Sequence, residues 1–145
     1  MDVFVADEQD LPVDDGRVVA LARHALESED VDDDAELSIL FVTSEHIHRL
    51  NARFAGDDYA TDVLAFPMME DEDDGSWMLG DVVVCPRVAQ DNAARLGRSL
   101  EEEIEMLVVH GILHLLGYDH HAPEERKTMD GRLAEVIASF DPTVA

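Results

Sequence analysis

Two histidines interrupt the most apolar stretch of the chain. His110 and His114 stand four residues apart within residues 104–116, a run that is apolar almost throughout. On a helix this spacing puts both imidazoles on one face, a turn apart, as two ligands of one metal require. Gly117 can end the helix and turn the chain back. His120, three residues later, can then close a third corner. The pattern His110-x3-His114-x5-His120 suits one Zn²⁺ ion with its fourth position open. A single histidine on an apolar face is usually a satisfied core residue. Two buried imidazoles and a third beyond a glycine are harder to explain that way, because each buried ring needs a partner. His121 could replace His120 or face solvent. His24, His46 and His48 share no ligand spacing with the set and are read as non-ligands. Zinc proteases use a similar frame, with a glutamate as general base after the first histidine. Here that residue is Gly111, which can neither take nor give a proton, so a peptidase of that class is not expected.

These side chains need a helix, and the helix needs support. Ser99-Leu-Glu-Glu102 is a capping box, and Glu101, Glu102 and Glu103 fall in the first turn, where the helix dipole favours negative charge. Upstream, residues 3–5 read as a first strand. A helical pattern opens at Leu11-Pro12 and carries Val18, Leu21, Ala22, Ala25 and Leu26. Residues 29–34 form an acidic turn and residues 37–42 a second strand. Thr43 and Ser44 offer caps to a helix carrying Ile47, Leu50, Asn51 and Phe54. Residues 61–68 read as a strand that Pro67 ends or confines to a sheet edge. Residues 70–75 are a solvated hairpin tip without the ligand spacing of an EF-hand. Gly80 precedes a buried strand over residues 81–85, and Pro86 opens a helix to about Leu96, closed by Gly97. The order β-α-β-α-β-β-α-α-α predicts one α+β domain over residues 1–145. About five helices pack a small mixed sheet of about four strands, with the zinc site at the end of the buried helix.

Composition narrows the function. At 145 residues, 46% of them hydrophobic, the chain can bury one real core and is not globally disordered. Its 10 Lys+Arg against 34 Asp+Glu leave a net charge of −24, which excludes a generic nucleic-acid sponge and a basic membrane-surface protein. The acids are 20 Asp and 14 Glu, and Lys127 is the only lysine. Such a surface is expected in very salty solvent, where the Debye length falls to about 3 Å at 1 M; an acidic protein of ordinary solvent is the alternative. The one cysteine, Cys85, cannot form an internal disulfide. The N-terminal residues carry no basic, then apolar, leader pattern, and no stretch approaches the ~20 apolar residues of a membrane span. The expectation is a soluble cytoplasmic protein.

The string His110-Gly-Ile-Leu-His-Leu-Leu-Gly-Tyr-Asp-His120 closely resembles the HGxLHLxGYDH signature of the YbeY family, bacterial endoribonucleases and rRNA maturation factors. A second block agrees: Leu50-Asn51, Phe54, Asp58, Thr61-Asp62-Val63-Leu64 and Phe66-Pro67 resemble the family's LN..YR..D..TDVLSFP segment. Gly80-Asp81 resembles the GD before its last strand, so the likeness spans about residues 37–121. The family's arginine after the aromatic residue falls at Ala55, its proline before Thr-Asp at Ala60, and its serine before Phe-Pro at Ala65. Arg53 lies roughly on the opposite side of a helix from that arginine's position. The resemblance implies a zinc-dependent, single-strand-specific endoribonuclease of the bacterial cytoplasm. It would act in late 16S rRNA 3′-end maturation and ribosome quality control. Its partners would be ribosomal RNA and the small ribosomal subunit, with no membrane and no DNA.

The chemistry expected of such a site is phosphodiester cleavage, with zinc lowering the pKa of a water toward about 7 or assisting attack by the RNA's own 2′-OH. His110, His114 and His120 are the metal ligands, and His114 is also a candidate for a direct catalytic part. Asp62 and Asp81 are candidate proton carriers, or structural hydrogen-bonding groups at strand ends. Asp119 could orient a ligand or cap the turn, and Tyr118 could be no more than a packed ring. Arg49, Arg53, Arg87, Arg95 and Arg98 could form a basic groove beside the metal, or a solvated scatter. In high salt, binding would lean on hydrogen bonds and stacking rather than on counterion release. Two other readings stand beside the nuclease. One is a non-catalytic ribosome-assembly factor with a structural zinc, which Ala55 favours. The other is a zinc hydrolase acting on some other substrate.

Overall fold

The computed structural model describes residues 1–119 and 121–142. In chain order these form β1 (Asp2–Asp7), α1 (Asp15–Ser28), β2 (Ala35–Phe41), α2 (Ser44–Leu50), a π-helical turn (Asn51–Ala55), β3 (Val63–Asp71), β4 (Trp77–Val84), α3 (Pro86–Leu96), α4 (Leu100–Leu115) and α5 (Pro123–Ser139). The strands make one mixed sheet in the order β1-β2-β4-β3. β2 runs parallel to both β1 and β4, and β3 pairs antiparallel to β4 at the edge. This is the α+β architecture the sequence predicts.

The elements differ from expectation where long-range packing decides. α1 begins at Asp15 rather than at Leu11, because the residue before a proline avoids the helical region and Asp14 supplies the capping oxygen to the Arg17 amide at 3.1 Å. Thr43 caps α2, accepting from the His46 amide at 3.2 Å. Past Leu50 the helix widens into the π-helical turn, which buries Asn51 so that its Nδ2 donates to the Tyr59 carbonyl at 3.0 Å. β3 runs on through Pro67, which an edge strand tolerates; its pairing with β4 shifts register between Pro67 and Glu70.

One sheet face carries the main core. Leu37, Ile39 and Phe41 from β2 and Val82 and Val84 from β4 meet Leu21 and Leu26 of α1, Val108 and Ile112 of α4, and Met129 and Val136 of α5. Each such side chain withdrawn from water is worth about 1.5–3 kcal/mol, so this layer dominates the stability. A smaller cluster on the other face joins Ile47 of α2 to Val42, Val83 and Cys85.

α4 is the central helix. Its capping box is complete: Ser99 Oγ accepts from the Glu102 amide at 3.1 Å, and Glu102 Oε1 accepts from the Ser99 amide at 3.0 Å. That bond holds the Glu102 carboxyl below the usual carboxylate range. Two acids on this helix are buried, and each has a cation. Glu103 pairs with Arg98 at 3.2 Å, and Glu105 pairs with Arg17, as buried charge demands.

Candidate metal centre

The last two turns of α4 present His110 and His114 together, half-buried, with ring centroids 5.4 Å apart and planes tilted by 49°. Two imidazoles that hold one zinc at about 2.1 Å and a tetrahedral angle place their centroids roughly 5 Å apart. The pair therefore fits two ligands of one ion. Both rings open onto a cavity of about 330 Å³ whose opposite wall is the segment from Thr61 to Ala65.

Gly111 explains how the pair reaches that wall. A methyl group on its Cα would sit 2.6 Å from Val82 Cγ1, so α4 lies on the sheet at a distance that only glycine permits. The helix then ends in a Schellman motif. The Gly117 amide donates to the His114 carbonyl and the Tyr118 amide to the Leu113 carbonyl, each at 3.1 Å. Gly117 takes φ +97°, which reverses the chain. Tyr118 is anchored beyond its ring, because its hydroxyl donates to Glu29 Oε2 at 3.0 Å. Burial, and secondarily Glu29, raise that hydroxyl above the usual phenol range. The expected third ligand, His120, lies outside the described residues. His121 is exposed and pairs with Asp119 at 3.3 Å.

The two candidate proton carriers part company. Asp62 lines the histidine cavity. Its Oδ2 accepts from Asn92 Nδ2 at 3.1 Å, and Arg95 in turn donates to Asn92 Oδ1. A polar relay thus runs from α3 to the cavity wall. Asn92 is a residue the sequence reading missed, for nothing in its spacing marks it. Asp81 stands opposite Ser38 and Phe66, on the sheet face away from α4. Burial raises its carboxyl above the usual range, and it does not line the histidine cavity.

Among the described residues, none of Arg49, Arg53, Arg87, Arg95 and Arg98 lines the histidine cavity. Arg98 is tied to Glu103, Arg53 stacks on Phe54, and Arg87 lines a different cavity beside Thr43. Arg95 reaches the site through Asn92. Ala55 closes the π-helical turn, where Phe54 meets Phe66 edge-on, and that turn contributes nothing to the histidine cavity. The remaining histidines lie elsewhere, as expected. His24 bonds Ser139 Oγ at 2.8 Å, His48 pairs with Asp58 at 2.7 Å, and His46 sits in the first turn of α2.

The fold and the histidine pair define an α+β domain with an imidazole site at the end of its central helix. A family model described as Endoribonuclease YbeY matches residues 4–141. The chain is 43% identical over 154 residues to Endoribonuclease YbeY of Salinispora tropica, covering 99% of this chain and 98% of that one. It is 42% identical over 146 residues to the protein of the same name from Thermobifida fusca, covering 97% and 94%. The solution structure of TM1509 from Thermotoga maritima shares the fold at TM-score 0.58 and 28% identity, over 94% of this chain and 89% of that one. The chain belongs to the YbeY endoribonuclease family. Among the described residues, no helix is long and apolar enough to cross a membrane.

Proposed function

We propose that this chain is a zinc-dependent, single-strand-specific endoribonuclease of the cytoplasm that matures the 3′ end of 16S rRNA on the small ribosomal subunit and serves ribosome quality control. RNA as substrate and the ribosomal role rest on the family. One observation in the structure carries the metal: His110 and His114 face one cavity a helical turn apart, at the ligand separation of a single ion. His120, three residues after Gly117 in the sequence, is the third ligand in this reading. When bound, zinc would polarise the scissile phosphodiester and activate a water or the RNA 2′-OH as nucleophile.

The protein's own groups do the rest. Asn92 holds Asp62 by one oxygen at the cavity wall, where the carboxylate can take a proton from the attacking hydroxyl and return it to the leaving oxygen. Gly111, packed against Val82, sets the height of α4 over the sheet and so the position of both imidazoles. Asp81, on the far face of the sheet, is given no proton-transfer role in this reading.

The test is zinc removal. Stripping the protein with a chelator should stop cleavage of single-stranded RNA, and zinc should restore it. His114→Ala should purify without its zinc and stay inactive. Undiminished cleavage by the stripped protein would overturn the proposal. Ala55, standing where the family arginine is expected, favours the second reading, an assembly factor with a structural zinc. In that case the wild type would bind zinc and the small subunit and cut nothing.

A further inference from the structure

Among the described residues, no arginine or lysine lines the histidine cavity, whose wall carries the Asp62 carboxylate. Every phosphate of an RNA backbone is negative, and phosphate contacts normally dominate affinity for nucleic acid. The chain's own charge of −24 adds to the repulsion. An RNA strand that enters this cavity therefore needs a cation at its rim.

α3 supplies one. Asn92 and Arg95 stand three residues apart on that helix, a spacing that makes their side chains neighbours. Arg95 Nη2 donates to Asn92 Oδ1, and Asn92 Nδ2 donates to Asp62 Oδ2 at 3.1 Å. The two bonds fix both ends of the Asn92 amide and hold the guanidinium two hydrogen bonds from the cavity wall. Its neutral partner sets Arg95 apart. Arg17, Arg98 and Arg132 are paired with glutamates, which offset their charge and occupy their donors. Arg95 is exposed and makes no ion pair among the described residues. The Asn92 oxygen takes one of its nitrogens and leaves its charge unbalanced. An arginine fork meets a phosphate with two parallel N–H bonds. A cation in the last turn of α3 also suits the helix dipole, but that effect does not call for the bond to Asn92.

We propose that Arg95 is the phosphate-binding residue of the histidine cavity: held by Asn92 beside Asp62, its guanidinium takes a backbone phosphate of single-stranded RNA drawn into the cavity. This rests on the reading of that cavity as the place where RNA is held.

The experiment measures binding and cleavage side by side. Fluorescence anisotropy follows a fluorescein-labelled 2′-O-methyl oligonucleotide, single-stranded, over KCl concentrations at which circular dichroism shows every protein folded. Steady-state cleavage of the unmodified oligonucleotide gives kcat and KM. The proteins are wild type, Arg95→Met, Arg95→Lys and Arg23→Met, a control whose arginine borders a separate cavity with His24 and Phe140. Arg95→Met should bind about tenfold more weakly, the loss expected of one charge-assisted bond, and raise KM to match with kcat little changed. Its slope of log affinity against log KCl should flatten by about 0.7, the share of one phosphate contact on a single strand. Arg95→Lys should keep the slope and recover part of the affinity, since an ammonium retains the charge without the fork. Arg23→Met should match wild type. Wild-type affinity in Arg95→Met, or an equal loss in Arg23→Met, would overturn the proposal. So would a lowered kcat with KM and salt slope unchanged, which would make Arg95 a positioning residue for Asn92 and Asp62. A wild type that cuts nothing yet binds with an Arg95-dependent slope would remove the nuclease reading and leave this contact standing. A wild type that binds no oligonucleotide would overturn both.

Discussion

Burial raises the Asp81 carboxyl, and the consequence for stability has a definite sign. A carboxyl whose folded pKa lies above its unfolded value holds its proton more tightly in the folded state. Its contribution is full below the unfolded pKa and is lost as pH rises through the folded one. At neutral pH, Asp81 is therefore ionised at a cost. Asp81→Asn should raise the melting temperature at pH 7, and the difference should vanish on acidification below the carboxylate range. Thermal melts across pH check this, and a variant less stable than wild type at pH 7 would contradict it. Asp62 stands elsewhere, at the wall of the histidine cavity, where it accepts from Asn92 Nδ2 at 3.1 Å. In the sequence these two acids look alike, each near a strand end. Their separation depends on which face of the sheet each strand turns inward, and the bulge where β2 pairs Glu36 with Met78 and then Leu37 with Gly80 hides that from a period-two reading. The histidine spacing was legible because one helical turn is a local rule. Asn92 was not, since only the packing of α3 brings it to Asp62.

α4 shows which element-scale features are local. Its capping box, its acidic first turn and its glycine stop all stand in consecutive residues, and the structure has them where the sequence implies. The end of β3 and the π-helical turn were not legible. Pro67 is tolerated because β3 is an edge strand, and an edge is a property of the whole sheet. The Asn51 backbone amide stays in the ladder while its side chain donates to a carbonyl eight residues on, at Tyr59. The approach of α4 to the sheet is likewise tertiary, and Gly111 tests it. In an open helix, Gly→Ala gains about 1 kcal/mol. Here the new methyl would meet Val82, a fully buried β-branched residue with little freedom to move. Overpacking of this kind costs about 1–3 kcal/mol. The clash should win, so Gly111→Ala should lower the denaturant midpoint. An unchanged or raised midpoint would show that the helix sits more loosely than described.

At the scale of the whole molecule, charge is the dominant feature. Three of the nine arginines, Arg17, Arg98 and Arg132, are spent on Glu101, Glu105, Glu103, Glu29 and Glu135 within the fold. The acidic residues at positions 32–34, 57–58 and 71–74 stand exposed, with few cations to meet them. Self-repulsion over such a surface is screened only when the Debye length shrinks to a few ångström. The melting temperature should therefore climb from low to multimolar KCl, by roughly 4 °C for each 1 kcal/mol of relieved repulsion. A flat curve would assign the acidity to something other than salt. The same field repels a polyanion, so any RNA that reaches the His110/His114 cavity does so best in concentrated salt. Cleavage of a structured small-subunit rRNA 3′ fragment in concentrated KCl, by wild type and by His114→Ala of equal helical content, puts the whole account at risk. Only the wild type should cut; equal cutting by both, or none by either, would contradict a nuclease centred on these histidines.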